Sequence, residues 1–461
     1  MNVTVCSPWD RSVIKNLELG TMATVEALLK RASGALGVCK GRPEVWERKE
    51  ILKKTAAAIS EKSEEFALTI AKEGGKPLVD ARIEVARAIQ GIELAMEEMG
   101  KLAGEEIPMG ITPSSKHRLA FTTRDPIGVV VAVSAFNHPL NLIVHQVIPA
   151  VAAGCPVIVK PAIETPLSCM ALVDLLHKSG LPEAWCQLAL LDIPEAEALV
   201  TDSRVNFFSF IGSAKVGWHL RSLVAPGTRC ALEHGGAAPV IVAEDADIDT
   251  IIAPLAKGGF YHAGQVCVSV QRVFAHRKVA RQLAEKLAEK AKTLVVGDPT
   301  LETTDVGPLI RPGEVSRVQS WVDEGVEMGG TTFCGGKALS ETCFEPTVLF
   351  DPPDAARVSC LEVFGPVVCV YPVDDVWEGV KRANALPVAF QASVFTPNLS
   401  KALQLARHLD AAAVMLNDHT AFRVDWMPFG GRRQSGMGVG GIGQAMHEMT
   451  QEKLIVMHHG L

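Results

Sequence analysis

The strongest constraint on this chain is an uncharged stretch of 34 residues, Pro126 to Val159, which contains no Asp, Glu, Lys or Arg. A helix that crosses a membrane needs about 20 consecutive apolar residues. Prolines, asparagines and histidines interrupt the stretch, so no window of that length stays apolar and unbroken. We therefore expect buried interior, with a strand at Gly128 to Val133, a helix at Leu140 to Ala153 and a strand at Pro156 to Lys160.

Charge and cysteine content exclude several classes of protein. Lys and Arg total 45 and Asp and Glu total 52, so the net charge of −7 offers no basic excess for nucleic acid or an anionic membrane surface. The eleven cysteines include no C-x-x-C pair, which disfavours a disulfide framework or a zinc site. The first residues lack the pattern of a signal peptide. We expect a cytoplasmic protein that acts on a small molecule and holds no metal.

Hydrophobic periodicity predicts helices through most of the first hundred residues, followed by alternating strands and helices. One alternating series ends near Leu223, and a second begins near Gly235. Two such series predict two doubly wound parallel sheets and an α/β fold. Two predicted strands stand outside the series. His117 to Thr123 is interpreted as one arm of a hairpin, and Leu454 to His458 needs a partner from another domain or subunit.

Glycine-rich turns offer two candidate cofactor sites. In Phe210 to Gly217 a strand ends in Gly-Ser and a helix begins, so Ser213 is a candidate N-cap and the free helix N–H groups could hold a pyrophosphate. Every turn between a strand and a helix needs a cap, so a purely structural turn is the alternative. Gly438 to Gly443 fits the dinucleotide pattern G-x-G-x-x-G. We reject it because no predicted strand precedes it and no acidic residue follows about 20 residues later.

Three further residues carry side chains suited to catalysis. Cys267 follows a predicted helix in a Gly-Gln-Val-Cys loop, where it is either a nucleophile or a buried structural thiol. Glu233 lies in an apolar stretch, so desolvation could raise its pKa and suit it to general-base catalysis. A solvated loop carboxylate is the alternative. Asn137 is either a core amide or a donor to an oxyanion.

Eight motifs, in order along the chain, resemble the aldehyde dehydrogenase superfamily from near residue 7 to the C-terminus. They are PIGVV, FNHPLN, VIVKPA, FIGSAKVG, LEHGG, GQVC, EVFGPV and PFGGRRQSG. The stretches FNHPLNLIVHQV and HTAFRVDWMPFGG are most similar to phosphonoacetaldehyde dehydrogenases and related enzymes of anionic aldehydes. The resemblance implies oxidation of a small, anionic aldehyde to the carboxylic acid, with NAD or NADP as cofactor.

The resemblance also implies a domain organisation and an oligomer. Residues 1–113 and 134–234 are expected to form the cofactor domain, and residues 235–420 the catalytic domain. A small β oligomerisation arm is expected from residues 114–133 and 440–461. The assembly is expected to be a homodimer or homotetramer.

Site residues follow from the resemblance as well. Cys267 attacks the aldehyde carbonyl, and the oxyanion is held by the Asn137 amide and the Cys267 backbone N–H. After hydride leaves for the nicotinamide, water activated by Glu233 hydrolyses the thioester. Relatives that transfer the acyl group to coenzyme A differ at the Glu233 position, so hydrolysis is favoured. The cofactor residues implied are Lys160 for the adenosine ribose, Ser213 with Gly212 and Gly217 for the pyrophosphate, and Glu362 with Phe364 for the nicotinamide ribose.

Three residues are candidates for binding the substrate's anionic group. Arg423 lies just before the closing PFGG motif, His138 follows Asn137, and Arg118 belongs to the predicted hairpin. If they converge, they bind a phosphonate, sulfonate or carboxylate through charge-assisted hydrogen bonds. The alternative is that the two arginines form structural salt bridges.

Four positions depart from the family pattern. Ile163 stands where many NAD-specific members have Glu, which leaves NAD against NADP open. Val266 precedes the nucleophile where phosphonate enzymes can have Arg, which disfavours a bulky dianion. His234 replaces a common Leu and Ala237 a common Lys, and packing is the simpler explanation for both. Three alternatives stay open: a semialdehyde, lactaldehyde or glyceraldehyde-type enzyme without phosphonate specificity, a thioester or ester hydrolase, and a non-enzymatic binding module.

Overall fold

The computed structural model describes residues 2–36 and 42–459. Cys39, one of the eleven cysteines, lies outside the described residues. The described helices are α1 (Met22–Leu36), α2 (Val45–Glu61), α3 (Ser63–Gly74), α4 (Leu78–Glu98), α5 (Asn141–Ala153), α6 (Leu167–Lys178), α7 (Ile193–Thr201), α8 (Ala214–Leu223), α9 (Ile248–Phe260), α10 (Arg277–Lys292), α11 (Pro312–Glu327), α12 (Arg357–Cys360), α13 (Val376–Asn384), α14 (Leu399–His408) and α15 (Ile442–Glu448).

The strands are distributed over three larger sheets and two short ribbons. They are β1 (Asn2–Cys6), β2 (Val13–Glu18), β3 (Glu106–Ile107), β4 (Arg118–Pro126), β5 (Val129–Val133), β6 (Val157–Lys160), β7 (Cys186–Leu188), β8 (Val205–Ile211), β9 (Arg229–Glu233), β10 (Pro239–Val242), β11 (Arg272–His276), β12 (Thr331–Cys334), β13 (Thr347–Phe350), β14 (Val367–Val373), β15 (Val388–Ala389), β16 (Gln391–Phe395), β17 (Ala413–Leu416), β18 (Arg432–Arg433), β19 (Gly436–Met437) and β20 (Thr450–His458).

The first large sheet has six strands in the order β19-β9-β8-β5-β6-β7. Its pairs are parallel except for the antiparallel edge strand β19. The chain proceeds from β5 through β6 to β7 on one side and then returns to place β8 and β9 on the other. The carboxyl ends of β5 and β8 therefore flank the point where the strand order reverses, which is where open α/β sheets bind ligands.

The second large sheet has seven strands in the order β12-β13-β14-β11-β10-β16-β17. It too is parallel apart from one edge strand, β12. Apolar side chains from its strands and covering helices form one continuous core. The predicted α/β fold with two doubly wound sheets is confirmed, with the refinement that each sheet carries one antiparallel edge.

The uncharged stretch forms β5, α5 and β6 of the six-stranded sheet, as expected. Its apolar residues are buried, and several of its polar groups have partners: Gln146 Nε2, for instance, donates to Ser209 Oγ at 3.0 Å. Within residues 2–36 and 42–459, no helix combines the length and hydrophobicity needed to cross a membrane. The absence of charge in this stretch therefore reflects burial between helices and sheet.

The third sheet is a three-stranded antiparallel ribbon, β20-β4-β3. Strand β20 pairs with β4 over nine residues, from Thr450 opposite Pro126 to His458 opposite Arg118. The C-terminal strand thus has its partner within the same chain. Most of its side chains, including Leu454 and Val456, are exposed.

Several expected boundaries are wrong in detail. Residues 129–133, expected in the arm, form β5 inside the six-stranded sheet, because their apolar side chains are fully buried there. Helix α15 was also expected in the arm, but it packs on α4 and α5 through buried Ile442 and Met446. Conversely, β3 from the expected cofactor domain pairs with β4. In the helical first hundred residues, α2 and α3 are separated only by Lys62.

Candidate active site

A cavity of about 950 Å³ lies where the carboxyl edge of the six-stranded sheet meets loops of the seven-stranded sheet. This volume is at the upper end of the range for small-molecule sites. Of the twelve predicted site residues, nine line it: Asn137, His138, Gly212, Ser213, Glu233, Cys267, Glu362, Phe364 and Arg423.

The loop that carries Cys267 begins with a tight left-handed turn. After α9, the residues His262, Ala263 and Gly264 have φ values of 49°, 54° and 69°. A Cβ atom at Gly264 would lie 2.1 Å from the carbonyl oxygen of Gly365, so only glycine fits there. Cys267 follows this turn by three residues and lines the cavity.

Gln265 fixes this loop against its neighbours. Its Oε1 accepts a hydrogen bond from the Ile310 N–H at 2.9 Å, and its Nε2 donates to the Pro308 carbonyl oxygen at 3.2 Å. Its own backbone carbonyl accepts a hydrogen bond from Asn137 Nδ2 at 2.8 Å. A side-chain amide has two N–H groups, so Asn137 keeps a second donor in a fixed orientation. This arrangement suits an oxyanion donor.

Glu233 lies at the end of β9, between β8 and β19. A Cβ atom at Gly440 would lie 2.1 Å from Glu233 Oε1, so the rejected glycine pattern makes room for this carboxylate. Burial raises the pKa of Glu233 to about 7, and the positive charge of Arg423 opposes the rise. A carboxylate with a pKa near 7 can accept a proton at neutral pH and release it again.

The Cys267 thiol lies in a less polar environment than a reactive thiolate usually has. Burial raises its pKa above the ordinary value, and the negative charges of Glu362 and Glu233 raise it further, whereas Arg423 lowers it. The resting thiol is therefore protonated. Its reaction requires a proton acceptor in the cavity, which Glu233 can provide.

The residues around α8 fit a dinucleotide. Ser213 is the N-cap of this ten-residue helix, and its hydroxyl makes no capping bond. The free N–H groups of the first helical turn attract a pyrophosphate. Glu362 Oε1 is buried without a hydrogen-bond partner among the described residues, as a ribose hydroxyl would require. The absence of a side chain at Gly235 makes room for the Glu362 carboxylate, because a Cβ atom there would lie 1.7 Å from Glu362 Oε1.

Gly217 and His234 pack against the turn that carries Gly212 and Ser213. Gly217 does not line the cavity: a Cβ atom there would lie 2.0 Å from His234 Cε1, so its absent side chain makes room for the imidazole. His234 packs against Phe210 and Trp218, and its Nδ1 lies 3.0 Å from the Gly212 carbonyl oxygen. His234, where the family commonly has Leu, thus stabilises this turn through its contact with the Gly212 carbonyl oxygen.

Two other predicted residues lie outside the cavity. Lys160 ends β6, where burial lowers its pKa and the charges of Glu164 and Asp192 oppose that change. Its contact with an adenosine ribose stays a prediction. Arg118 is exposed at the start of β4, and its Nη1 donates to the Ser114 carbonyl oxygen at 2.5 Å. The expected convergence of Arg118 with Arg423 is wrong for this chain, because β4 belongs to the three-stranded ribbon β20-β4-β3 and Arg118 does not line the cavity.

The substrate end of the cavity holds a charged network that the sequence did not reveal. Asp425 accepts two hydrogen bonds from Arg87, Nε to Oδ2 at 3.1 Å and Nη2 to Oδ1 at 2.7 Å. His145 Nε2 lies 2.7 Å from Asp425 Oδ1, and Arg423 Nη2 lies 3.3 Å from His145 Nδ1. The Arg423 guanidinium carbon lies 3.5 Å from the centroid of the Phe429 ring.

His138 lines the same end but carries no charge at neutral pH. Burial, and then the positive charges of Lys76 and other neighbours, lower the pKa of His138 well below its ordinary value. Its Nε2 lies 3.4 Å from the Tyr261 hydroxyl. His138 can therefore offer a hydrogen bond to a substrate but no ionic attraction.

One face of α4 connects the site to its surroundings. Asp80 pairs with Lys257 at 2.6 Å, and Glu84 Oε1 accepts hydrogen bonds from the first N–H groups of α5, Leu140 and Asn141, both at 3.0 Å. Glu84 Oε2 also forms a buried ion pair with Lys76. Asp80, Glu84 and Arg87 share one helical face, because their spacing of four and three residues matches the helical repeat.

Comparison with known proteins agrees with this geometry. The model of the aldehyde dehydrogenase family matches residues 1–455. A 3-sulfolactaldehyde dehydrogenase from Priestia megaterium is 38% identical over 439 residues, which cover 95% of this chain and 92% of that protein.

Two solved structures share the whole fold. Aldehyde dehydrogenase 21 from Physcomitrella patens, in complex with the reaction product succinate, has a TM-score of 0.95 and 35% identity over 99% of this chain and 95% of that one. A glyceraldehyde-3-phosphate dehydrogenase from Methanocaldococcus jannaschii, complexed with NADP, has a TM-score of 0.94 and 34% identity over 99% and 98%. With nearly its full length matched, this chain belongs to the aldehyde dehydrogenase family.

Proposed function

We propose that this protein oxidises a small, anionic aldehyde to the carboxylic acid through a thioester on Cys267, with NAD or NADP as hydride acceptor. The observation that carries the anionic part is Arg423, a guanidinium in the same cavity as Cys267. Of the three cavity arginines in the part of the chain that the structure describes, Arg87 pairs with Asp425 and Arg317 with Glu314. No described carboxylate lies within salt-bridge distance of Arg423.

The first step joins the thiol to the aldehyde. Cys267 Sγ attacks the carbonyl carbon, and its proton passes to Glu233, which a pKa near 7 suits to this task. The carbonyl oxygen becomes an oxyanion, held by the second N–H of the Asn137 amide and by the Cys267 backbone N–H. The product of the step is a thiohemiacetal.

The second and third steps oxidise and release the substrate. Ser213 and Glu362 would hold NAD(P)⁺, which would supply the acceptor for the hydride of the thiohemiacetal carbon. Loss of that hydride leaves a thioester on Cys267. Glu233, once it has lost its proton to solvent, accepts a proton from water that attacks the thioester carbon. The carbon–sulfur bond breaks, the carboxylic acid departs, and Sγ regains a proton. Aldehyde, water and NAD(P)⁺ are converted to acid, NAD(P)H and a proton.

The names of three relatives support an anionic substrate, because each names a substrate or product that carries an anionic group. One acts on a sulfonate-bearing aldehyde, one yields the dicarboxylate succinate, and one acts on a phosphate ester. All three groups are bound by guanidinium side chains through charge-assisted hydrogen bonds. Phosphonate specificity has less support in this chain, because the residue before the nucleophile is the buried, apolar Val266.

The test is a substrate panel with both cofactors, read by NAD(P)H absorbance. It comprises succinate semialdehyde, phosphonoacetaldehyde, sulfolactaldehyde, glyceraldehyde 3-phosphate, lactaldehyde and a neutral aliphatic aldehyde. Arg423→Gln should raise KM for the anionic aldehydes by about 10-fold or more, because an ionic hydrogen bond contributes about 1.5–3 kcal/mol, and it should change the KM of the neutral aldehyde far less. Arg118→Gln, outside the cavity, is the matched control. Equal effects of Arg423→Gln on both classes would refute the proposal.

The second candidate is an enzyme of semialdehydes or hydroxyaldehydes without preference for a phosphonate. The neutral state of His138 and the apolar Val266 favour it over a phosphonate enzyme. In the panel, kcat/KM for lactaldehyde or succinate semialdehyde would then exceed that for phosphonoacetaldehyde.

We also propose that the protein is a homo-oligomer in the cytoplasm. Strand β20 has one edge free of partners among the described residues and a row of exposed apolar side chains, which suits pairing with a second copy. Ten described cysteines are free thiols, as a reducing compartment maintains them. Light scattering after size exclusion tests the first point: a monomer would contradict it.

A further inference from the structure

We propose that His145 and Asp425 are positioning residues that fix Arg423 as the receptor for the substrate's anionic group, and that this receptor prefers a monoanion to a dianion. The proposal rests on the proposed function and refines its substrate class to sulfonates and carboxylates. It is carried by hydrogen-bond geometry at the substrate end of the cavity.

His145 has its two ring nitrogens assigned by their neighbours. An arginine has only donors, so the Arg423 Nη2–H group donates to Nδ1 of His145, which must carry the lone pair. A carboxylate has only acceptors, so Asp425 Oδ1 accepts a hydrogen bond from the protonated Nε2. Burial lowers the pKa of His145 to about 4, in agreement with a neutral ring. Asp425 thereby selects the one tautomer that can hold Arg423.

The ring of Phe429 and the imidazole together leave one orientation for the guanidinium. Phe429 covers one face of Arg423, and His145 engages Nη2. Arg423 Nε is buried and has no hydrogen-bond partner among the described residues. A buried donor without a partner is costly, so it marks the point where a ligand acceptor belongs.

The charge balance limits what that ligand can be. Arg87 also lines this end, but its charge is matched by Asp425 through two hydrogen bonds. One guanidinium without a salt-bridge partner therefore remains for the substrate, and the negative charge of ionised Glu233 offsets part of its charge. A sulfonate or carboxylate carries one negative charge and is neutralised by it, whereas a doubly charged phosphonate would leave one charge unmatched in a largely desolvated site.

The first experiment separates the two nitrogens of His145. The side-chain oxygen of Asn is bonded directly to Cγ, as Nδ1 of His is, so His145→Asn keeps an acceptor for Arg423. The polar end of Gln lies one bond further out, as Nε2 does, so His145→Gln loses that acceptor while keeping a partner for Asp425. We expect His145→Gln to raise KM for sulfoacetaldehyde about 10-fold more than KM for a neutral aldehyde of similar length. In His145→Asn the difference should be at most a few-fold.

The second experiment changes the charge balance directly. Asp425→Asn removes the counter-charge of Arg87 and adds a second unmatched cation to the site. In the wild type, kcat/KM for sulfoacetaldehyde should exceed that for its tetrahedral isostere phosphonoacetaldehyde at pH 8. In Asp425→Asn that ratio should fall about 10-fold or more. A purely structural role would lower activity on both substrates by the same factor and leave the ratio unchanged.

The outcomes distinguish this inference from the proposed function. If Arg423→Gln affects anionic and neutral aldehydes equally, the proposed anionic substrate is wrong. If Arg423→Gln discriminates between them but His145→Gln and His145→Asn behave alike, the positioning role is wrong and the anionic substrate stands. If the wild type prefers phosphonoacetaldehyde, or Asp425→Asn leaves the ratio unchanged, the preference for a monoanion is wrong.

Discussion

Replacing Glu233 by Gln should make the enzyme nearly inactive and, above neutral pH, more stable. Burial raises the pKa of Glu233 from 4.5 to about 7. The folded state therefore binds the carboxyl proton more tightly than the unfolded state does. Stability from this group is fully present below pH 4.5 and is lost as the pH rises through about 7. The Gln side chain is neutral at every pH, so the variant does not lose this contribution to stability as the pH rises.

The magnitude follows from the two pKa values. A tenfold difference in proton affinity corresponds to about 1.36 kcal/mol. Between pH 5 and pH 8.5, the stability of Glu233→Gln relative to wild type should rise by up to about 2.5 kcal/mol. At the same time kcat should fall by about 100-fold to 10,000-fold, because both the thiol and the attacking water lose their proton acceptor.

Thermal unfolding of the cofactor-free protein at several pH values provides the assay. The difference in Tm between Glu233→Gln and wild type should be small at pH 5 and grow towards pH 8.5. Glu327→Gln, at the exposed end of α11, serves as the control and should show no such trend. A difference that does not vary with pH, or a variant that is less stable at pH 8.5, would refute the reasoning.

Four further variants test other parts of the site. Cys267→Ala should abolish NAD(P)H formation while NADP still binds, as titration calorimetry would show; retained turnover would contradict the mechanism. Asn137→Ala should lower kcat about 100-fold to 1,000-fold with little change in cofactor KM, and an unchanged kcat would exclude it as the oxyanion donor. Gly440→Ala should remove most activity by displacing the Glu233 carboxylate, since its Cβ would lie 2.1 Å from Oε1; normal kcat would show that the carboxylate has room to move. Ile163→Glu should lower kcat/KM with NADP relative to NAD, because a carboxylate repels a 2′-phosphate; an unchanged ratio would place residue 163 away from that ribose.

Local sequence motifs predict nine of the residues that line the site, among them the three with proposed catalytic roles. For Cys267, Glu233 and Asn137 the residue types alone leave a structural alternative open, and the order of the family motifs selects them; all three line one cavity. The parallel sheets are equally predictable, because buried strands are continuous apolar runs and helices alternate between them. Both kinds of prediction depend on neighbours in sequence.

The charged network was missed because it joins residues far apart in the chain. Arg87 and Asp425 are separated by 338 positions, and nothing near either one shows that they meet. The position of Arg118 was also wrongly predicted. The sequence does not show that β4 pairs with β20, a pairing that places Arg118 in the three-stranded ribbon away from the cavity. The available signal was the spacing of Asp80, Glu84 and Arg87 on one face of α4. If that face is buried, its charged side chains require oppositely charged partners.

The placement of the charged network has an evolutionary consequence. In the proposed mechanism the groups that react lie in the loop after β5, at the end of β9 and in the loop after α9, whereas the charged network around Arg423 lies on α4, α5 and the segment 423–425. Selection can therefore alter the charge that the pocket accepts by changing a few side chains that form no bond to sulfur or to the hydride-bearing carbon. A lineage could in this way acquire new aldehydes while inheriting the oxidation itself unchanged.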